Sequence, residues 1–534
     1  MTFDFICITS FFWAVRTIKL VLFWIYLWQL KEYHIGRFRD HFTTDKGKKL
    51  IFNPLFAVKI VLLPLIFLQN VFIYILLLVY IAEFLFFALH IIKRNFVKPV
   101  LTPKTALLIF ISIIAAGLFL FKAYQVSSMT QFAASLMLFD IFTPIIISVI
   151  VVLIQPLFVF GRMIILKKAT KKMATFKNLK VIGITGSYGK TSTKEFLTTI
   201  LSSKFNVVST PEHKNSEIGI AQTILSDLQP NHEIFIVEMG SYNKGGIKLL
   251  CDIVKPSIGI VTGVNQQHLA TFGSMENLLS AEGGEELVVS LPKDGLIIVN
   301  GDNKYCLDVY KKKSGRKKIY TLKKDVIDSD IWTEDVLVSK DSLSFIAVSS
   351  QKEMAHFNVS VLGKQQVQNL LGAILVATEF GMSFEEISEA CKKITQAQGG
   401  MTLKKGIHGI HIIDSSYSSN PDGVMADLDY LSVFNGKKII VMPCLIELGE
   451  KSAEIHKKIG KKIAQVCDLA IITTKDKFEE IKSGFLSSDK KPQIIFSDNP
   501  KEIFDYITTF CKEGDTVLLE GRVPGELIRL LIDE

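Results

Sequence analysis

The stretch TGSYGKTS, residues 185–192, follows the short apolar run KVIGI (180–184) and leads into KEFLTTILSS (194–203). A strand that delivers a glycine-rich turn into a helix start aims backbone N–H groups and the positive end of the helix dipole at one point, so the pattern predicts a polyphosphate site. Gly186 and Gly189 let the backbone approach without a Cβ, with Ser187 and Ser192 beside them. Lys190 offers a charge for the β and γ oxygens, and Thr191 a hydroxyl for Mg²⁺. The spacing departs from the common phosphate-loop form, because the residue five before Gly189 is Ile184, with Gly183 one place earlier. ATP is the expected nucleotide.

Upstream of this loop the chain has a different character. Of its 534 residues 49% are hydrophobic, and that average conceals a membrane-like first 165 residues ahead of a part with ordinary soluble patterning. Apolar runs at 8–30, 55–68, 71–92, 106–121 and 136–160 predict about five membrane helices in a domain 1–165, the second and third joined at Gln69-Asn70. Lys and Arg concentrate at 31–49, 93–104 and 162–180, which predicts a multi-pass protein of the inner (cytoplasmic) membrane with its N-terminus outside and the phosphate loop in the cytoplasm. Residues 166–179 read as a basic juxtamembrane linker. The net charge of +9 raises nucleic acid as a partner, yet 162–180 holds seven Lys/Arg and no Asp/Glu just beyond a membrane helix, so anionic lipid headgroups are the expected partner instead.

The first apolar run carries Arg16 and Lys19 and no small-residue cleavage site, so it reads as a membrane helix and not as a signal peptide. Arg16, Lys19, Glu83 and Asp140 fall inside apolar runs, where an ionisable group marks a polar cavity or a pair. Lys59 reads as snorkelling from a helix end. Seven scattered cysteines without a CxxC pair indicate neither a zinc site nor a disulfide framework.

Beyond the loop, strand candidates at 206–209, 233–238, 257–262, 295–300 and 318–321 alternate with helical patterns, which predicts a mostly parallel sheet covered by helices. Short strands at 335–361 and two helices at 363–393 follow. A second α/β set, with strands at 407–414, 437–442, 469–474, 493–497 and 516–520, closes the chain. Glu238 ends a strand in VEMGSYNKGGI, and His268 follows another strand end in TGVNQQHLATFGS, both where a metal held by nucleotide phosphates would sit.

The series TGSYGKTS, HKNSEIG (213–219), VEMGS, NQQHLATFGS, IVNGDN, GKQQVQN, IIDSSYSSNP and LIELGE resembles the Mur ligase family, in the order and spacing of its D-alanyl-D-alanine-adding branch, the MurF ligases. The resemblance covers about residues 180–530. It implies a central P-loop ATPase domain at 180–400 and a C-terminal Rossmann-like domain at 401–534. It also implies an ATP-dependent acid–amino-acid ligase of cell-wall assembly: a carboxylate is activated as an acyl phosphate, and an amine attacks it to form an amide. By similarity Lys190, Glu238 and His268 are catalytic, Thr191 and Glu238 hold one Mg²⁺, and His268 helps hold a second. Asn369 matches an adenine-contacting asparagine, Asp414 lies in a stretch brought towards the nucleotide, and Tyr417 and Asn420 match an interdomain loop.

The departures from the family pattern bear on substrate. Where the family has a carbamylated lysine this chain reads AEGGEE with Gly284 at that place, and Glu282 or Glu285 is expected to supply the missing carboxylate. Gln365-Gln366, Ser415, Gly400 and Pro443-Cys444 also replace residues usual in the family. The family's N-terminal UDP-sugar domain has no counterpart, and the membrane domain stands in its place. The expected acceptor is therefore a peptidoglycan-type precursor, UDP-linked or lipid-linked, and the amine an amino acid or dipeptide such as D-Ala-D-Ala. The resemblance leaves two other readings open: a ligase for another envelope polymer such as poly-γ-glutamate, and an inactive ATP-binding scaffold for envelope-synthesis proteins.

Overall fold

The computed structural model describes the chain apart from residues 1, 32, 43–44, 52, 70, 93–95, 126–127, 213, 266–267, 325–327, 417–419, 447, 487–491 and 533–534. It divides into two compact units, Met1–Met163 and Ile164–Glu534.

The first unit is helical, and apolar residues continue around whole helices, as in a bundle whose outer face meets lipid. Its long helices are α1 (Thr2–Leu30), α5 (Val71–Ile92), α6 (Pro103–Tyr124) and α7 (Met129–Met173), with the short α2 (Ile35–His41), α3 (Asp45–Ile51) and α4 (Pro54–Leu65) between the first two. Among the described residues four helices, not the five expected, are long and apolar enough to cross a membrane. The run at 55–68 forms the 12-residue α4, about 18 Å long against a hydrocarbon core of about 30 Å.

Side-chain pairs set the helix directions. Phe5 meets Tyr74, Phe12 meets Phe84 and Lys19 lies over Phe86, so α1 and α5 run parallel. Trp13 donates to the Leu136 carbonyl and Trp28 to Ser148, so α7 runs the same way. Lys104 bonds Gln155 while Phe119 meets Phe139, which turns α6 antiparallel to α7. A short connection turns α4 back into α5. Direction is therefore shared by α1, α5 and α7 and reversed in α6.

Arg16, Glu83 and Asp140 of the apolar runs meet Lys59 at one place, whereas Lys19 lies over Phe86 and Phe87. Lys59 Nζ lies 2.8 Å from Glu83 Oε2 and 3.4 Å from Asp140 Oδ2, and Arg16 pairs with both acids. Lys59 is 1% exposed, so it is a buried partner in this group and does not snorkel. Two cations and two anions from α1, α4, α5 and α7 offset one another where any one alone would be costly.

The second unit holds two sheets. The larger has the order β2-β3-β1-β4-β5-β6-β7-β8-β9: β1 (Lys180–Thr185), β2 (Val207–Ser209), β3 (Ile234–Glu238), β4 (Ile258–Val261), β5 (Leu296–Asn300), β6 (Lys317–Tyr320), β7 (Ile331–Val338), β8 (Leu343–Ser349) and β9 (Met354–Val359). It is parallel through β7, then antiparallel. Both faces are covered, which explains the near-continuous apolar strands. Ile182, Ile234 and Ile236 pack with α8 (Lys190–Leu201) and the helix Gln366–Glu379, while Val181, Phe235 and Val237 pack with residues of α9 (Glu217–Ser226) and α10 (Gly246–Val254).

The end of α7 joins this second core, with Ala169 and Met173 buried there beside Ile165 and Leu166. The expected linker 166–179 is thus helix up to Met173. Its lysines conceal an apolar stripe at i, i+4 spacing. The smaller sheet, β10-β11-β15-β12-β13-β14, comprises β10 (Thr402–Lys405), β11 (His411–Ser415), β12 (Lys438–Met442), β13 (Leu469–Ile472), β14 (Gln493–Phe496) and β15 (Thr516–Glu520), parallel except for β10.

Candidate active site

In the larger sheet the strand order reverses at β1, which lies between β3 and β4, so the loops leaving these three strands form a crevice at their carboxyl ends. The phosphate loop follows β1. Gly186 (φ +143°) and Gly189 (φ +76°) adopt backbone conformations that favour glycine, and a Cβ at Gly186 would stand 2.2 Å from Thr262 Oγ1. Thr262 braces the loop by donating to the Tyr188 carbonyl at 2.5 Å, and Ser187 N donates to the Gly263 carbonyl at 2.7 Å. Gly189 begins α8 without a side-chain cap, so the first N–H groups of that helix face the crevice. Thr191 and Ser192 sit half-buried in its first turn, and the Lys190 ammonium folds back onto the Gly186 carbonyl.

Glu238 closes β3, buried, opposite Ile184 of β1. Its Oε1 accepts from Asn215 Nδ2 at 2.9 Å, and Oε2 lies 3.8 Å from the buried Lys194 Nζ, which also bonds the Thr210 carbonyl at 2.8 Å. Asn215 belongs to the HKNSEIG segment, whose first residue, His213, lies outside the described residues. Nothing in the sequence reading singled out Lys194 or Thr262: one is the fifth residue of a helix and the other a strand-end threonine, and only the strand order brings them to the loop.

His268 follows β4 and meets the buried Glu282, with Nδ1 2.9 Å from Oε1. The other oxygen of Glu282 accepts from Ser187 Oγ of the phosphate loop at 2.8 Å. Burial raises the Glu282 carboxyl, but the His268 hydrogen bond, the Lys190 charge and the Ser187 hydroxyl outweigh it and hold the group below its ordinary value. Glu285 points elsewhere, to Lys312 at 2.5 Å. Gly284 has φ +89°, and a Cβ there would meet Val261 at 2.5 Å. Of the two acids, Glu282 alone reaches the loop.

Asn369 lies against this loop from the helix Gln366–Glu379. Its Oδ1 is where a Cβ on Gly189 would point, and its Nδ2 donates to Gln366 Oε1 at 2.9 Å. From the smaller sheet, Asp414, next to last in β11, has Oδ2 2.7 Å from Lys404 Nζ and Oδ1 accepting from Ser416. Burial raises its carboxyl, and these bonds more than reverse that. Tyr417 is outside the described residues. Asn420 caps the helix Pro421–Leu431 and accepts from Asn265 Nδ2 at 3.1 Å, and Asp422 accepts from the same amide at 3.0 Å. Asn265 lies three residues before His268, so the C-terminal domain touches the loop that carries it.

Comparison with known proteins matches residues 184–377 to the Mur ligase middle domain and residues 399–523 to the Mur ligase glutamate ligase domain. The chain is 27% identical over 359 residues to the UDP-N-acetylmuramoyl-tripeptide–D-alanyl-D-alanine ligase of Bacillus subtilis, covering 66% of this chain and 76% of that protein. The Synechocystis enzyme of the same name is 28% identical over 347 residues, covering 64% and 72%. Among solved structures, the MurF ligase of Thermotoga maritima in complex with ADP superposes with a TM-score of 0.61 at 25% identity, covering 69% of this chain and 83% of that one.

Proposed function

We propose a peptide-bond-forming reaction for this chain, which belongs to the Mur ligase family through residues 184–377 and 399–523: ATP-dependent joining of D-alanyl-D-alanine to the tripeptide of a peptidoglycan precursor held at a membrane. The observation that carries this reading is the convergence of the phosphate loop, Glu238 and the Ser187–Glu282–His268 group at the ends of β1, β3 and β4.

The residues present suit Mg²⁺. Thr191 and Glu238 supply hard oxygens beside the loop, and Glu282, anionic at neutral pH, sits with His268 beside Ser187. Thr191 and Glu238 would hold one ion, His268 and Glu282 a second. When bound, the ions neutralise phosphate charge and polarise the γ-phosphoryl group. The chain's own work is positioning. The loop N–H groups and the start of α8 orient the phosphates, and Lys190 exchanges the Gly186 carbonyl for phosphate oxygen. Asn215 and Lys194 fix the Glu238 carboxylate. Asn420 and Asp422, through Asn265, hold the C-terminal domain and the Asp414 stretch it carries against the loop of His268, and with them the amine meets the acyl phosphate formed on the acceptor carboxylate.

The four apolar helices and the basic stretches 31–49, 93–104 and 162–180 support a multi-pass position in the inner membrane, N-terminus outside, with ATP bound on the cytoplasmic side. The membrane unit then replaces a soluble UDP-sugar domain by bringing a lipid-linked acceptor. Amide formation by detergent-purified protein, measured with UDP-linked and lipid-linked acceptors side by side, tests this. Preferred turnover of the lipid-linked acceptor is expected, and use of the soluble acceptor alone would overturn the membrane-presented part.

A further inference from the structure

Two carboxyl groups that were given no role above meet inside the C-terminal domain. Glu520 ends β15 with no exposed surface, and neither of its oxygens has a hydrogen-bond donor. Asp427, 5% exposed on the helix Pro421–Leu431, is its neighbour. Asp427 Oδ2 accepts from Ser415 Oγ at 2.6 Å, and Oδ1 accepts from Gln365 Nε2 at 3.1 Å. Ser415 is the register partner of Glu520 across β11 and β15.

No cation balances this pair among the described residues. The groups acting on Asp427 are Glu520, Ser415 and Gln365, and the one acting on Glu520 is Asp427. On the surrounding elements, Lys404 of β10 is committed to Asp414 and Lys462 to Asp429. Two adjacent carboxylates cannot both ionise in such surroundings, and a single proton resolves the conflict by turning one of them into a donor. Burial raises both groups; the Asp427 charge and hydrogen bond raise Glu520 further, whereas hydrogen bonds from Glu520, Ser415 and Gln365 offset part of the rise at Asp427.

The contact has reach because Gln365 belongs to the ATP-binding domain and is followed by Gln366. Gln366 donates to the Gly399 carbonyl at 2.7 Å, just before the boundary between the domains, and accepts from Asn369, which lies against Gly189 of the phosphate loop. A polar chain thus runs from the phosphate loop to the smaller sheet.

We propose that Asp427 and Glu520 share one proton, and that the singly protonated pair, through Gln365, latches the C-terminal domain to the element bracing the phosphate loop; losing the proton at alkaline pH sets two adjacent carboxylates against each other and releases the latch. The test uses the full chain in detergent and needs no turnover, so it stands apart from the ligase reading. Infrared spectra in D₂O are expected to contain a protonated-carboxyl carbonyl band that Glu520→Gln removes. Hydrogen exchange at 365–371 and 411–415 is expected to lose protection by about tenfold per pH unit above the titration of the pair, beyond the intrinsic pH dependence. Glu520→Gln, whose amide still donates to Asp427, should keep that protection across the range. Should the variant fail to fold, the wild-type band must disappear over the same pH range in which protection is lost. Absence of the band, parallel pH dependence in wild type and variant, or protection that requires an added metal cation would each overturn the shared proton.

Discussion

Replacing Glu282 by glutamine should lower Mn²⁺ affinity in the presence of nucleotide by roughly 10–100-fold, whereas Glu285→Gln should leave it unchanged, as titration of each variant would measure. The difference follows from where the two acids point: Glu282 bonds Ser187 and His268, and Glu285 bonds Lys312. Equal losses would assign the charge wrongly. Glu282 also carries a pH signature. Its folded pKa is below the ordinary value of about 4.3, so its contribution to stability is present above that pH and declines as pH falls below it. Residue by residue, Gly186, Lys190, Glu238 and His268 were legible because each follows a strand of one parallel sheet. The choice between Glu282 and Glu285 was not, since it depends on a left-handed turn at Gly284 that sends neighbouring side chains to different faces. Lys194 and Asn215 were hidden because their role is to orient Glu238.

At the scale of elements, two buried polar groups make opposite demands. His456, fully buried on the helix Ser452–Val466, accepts from Leu445 N at its Nε2 (2.9 Å), while its Nδ1 lies 2.6 Å from the Ser452 carbonyl. Burial is the larger influence and holds the imidazole below its ordinary value. The unfolded chain therefore takes up the proton first, and stability should fall as pH drops below about 6.5. Hydrogen exchange at Leu445 should accelerate over that range in wild type. In the helical unit, Arg16→Leu leaves Glu83 and Asp140 with Lys59 alone and should cost about 3–5 kcal/mol, read as a lower melting temperature in detergent, with partial recovery on adding Asp140→Asn. Most strands covered on both faces were legible to within a residue or two because their apolar runs are continuous, but the strand expected from 407 begins only at His411, because Ile407–Gly409 forms a 3-10 turn whose apolar residues resemble a strand start. β10, with the sequence TLKK, lies at a sheet edge and gives no such run. The shortness of α4 was equally hidden, because apolar composition continues beyond the helix into its turn.

At the scale of the whole molecule, a helical unit ends at Met163, with four helices among the described residues long and apolar enough to cross a membrane, and a two-sheet unit that carries the phosphate loop begins at Ile164. Composition changes close to that point, but the helical course of 166–173 was not legible, because lysines and a buried stripe share the same turns. The account rests on ATP being used at the phosphate loop to activate an acid for amide formation. The most direct measurement is phosphate release by the full-length, detergent-purified protein with ATP, Mg²⁺, D-alanyl-D-alanine and a tripeptide acceptor, compared with Lys190→Ala. Release that requires both substrates, and that falls on the order of 100-fold or more in the variant, is the predicted result. Equal rates in the two proteins, or release indifferent to either substrate, would contradict it.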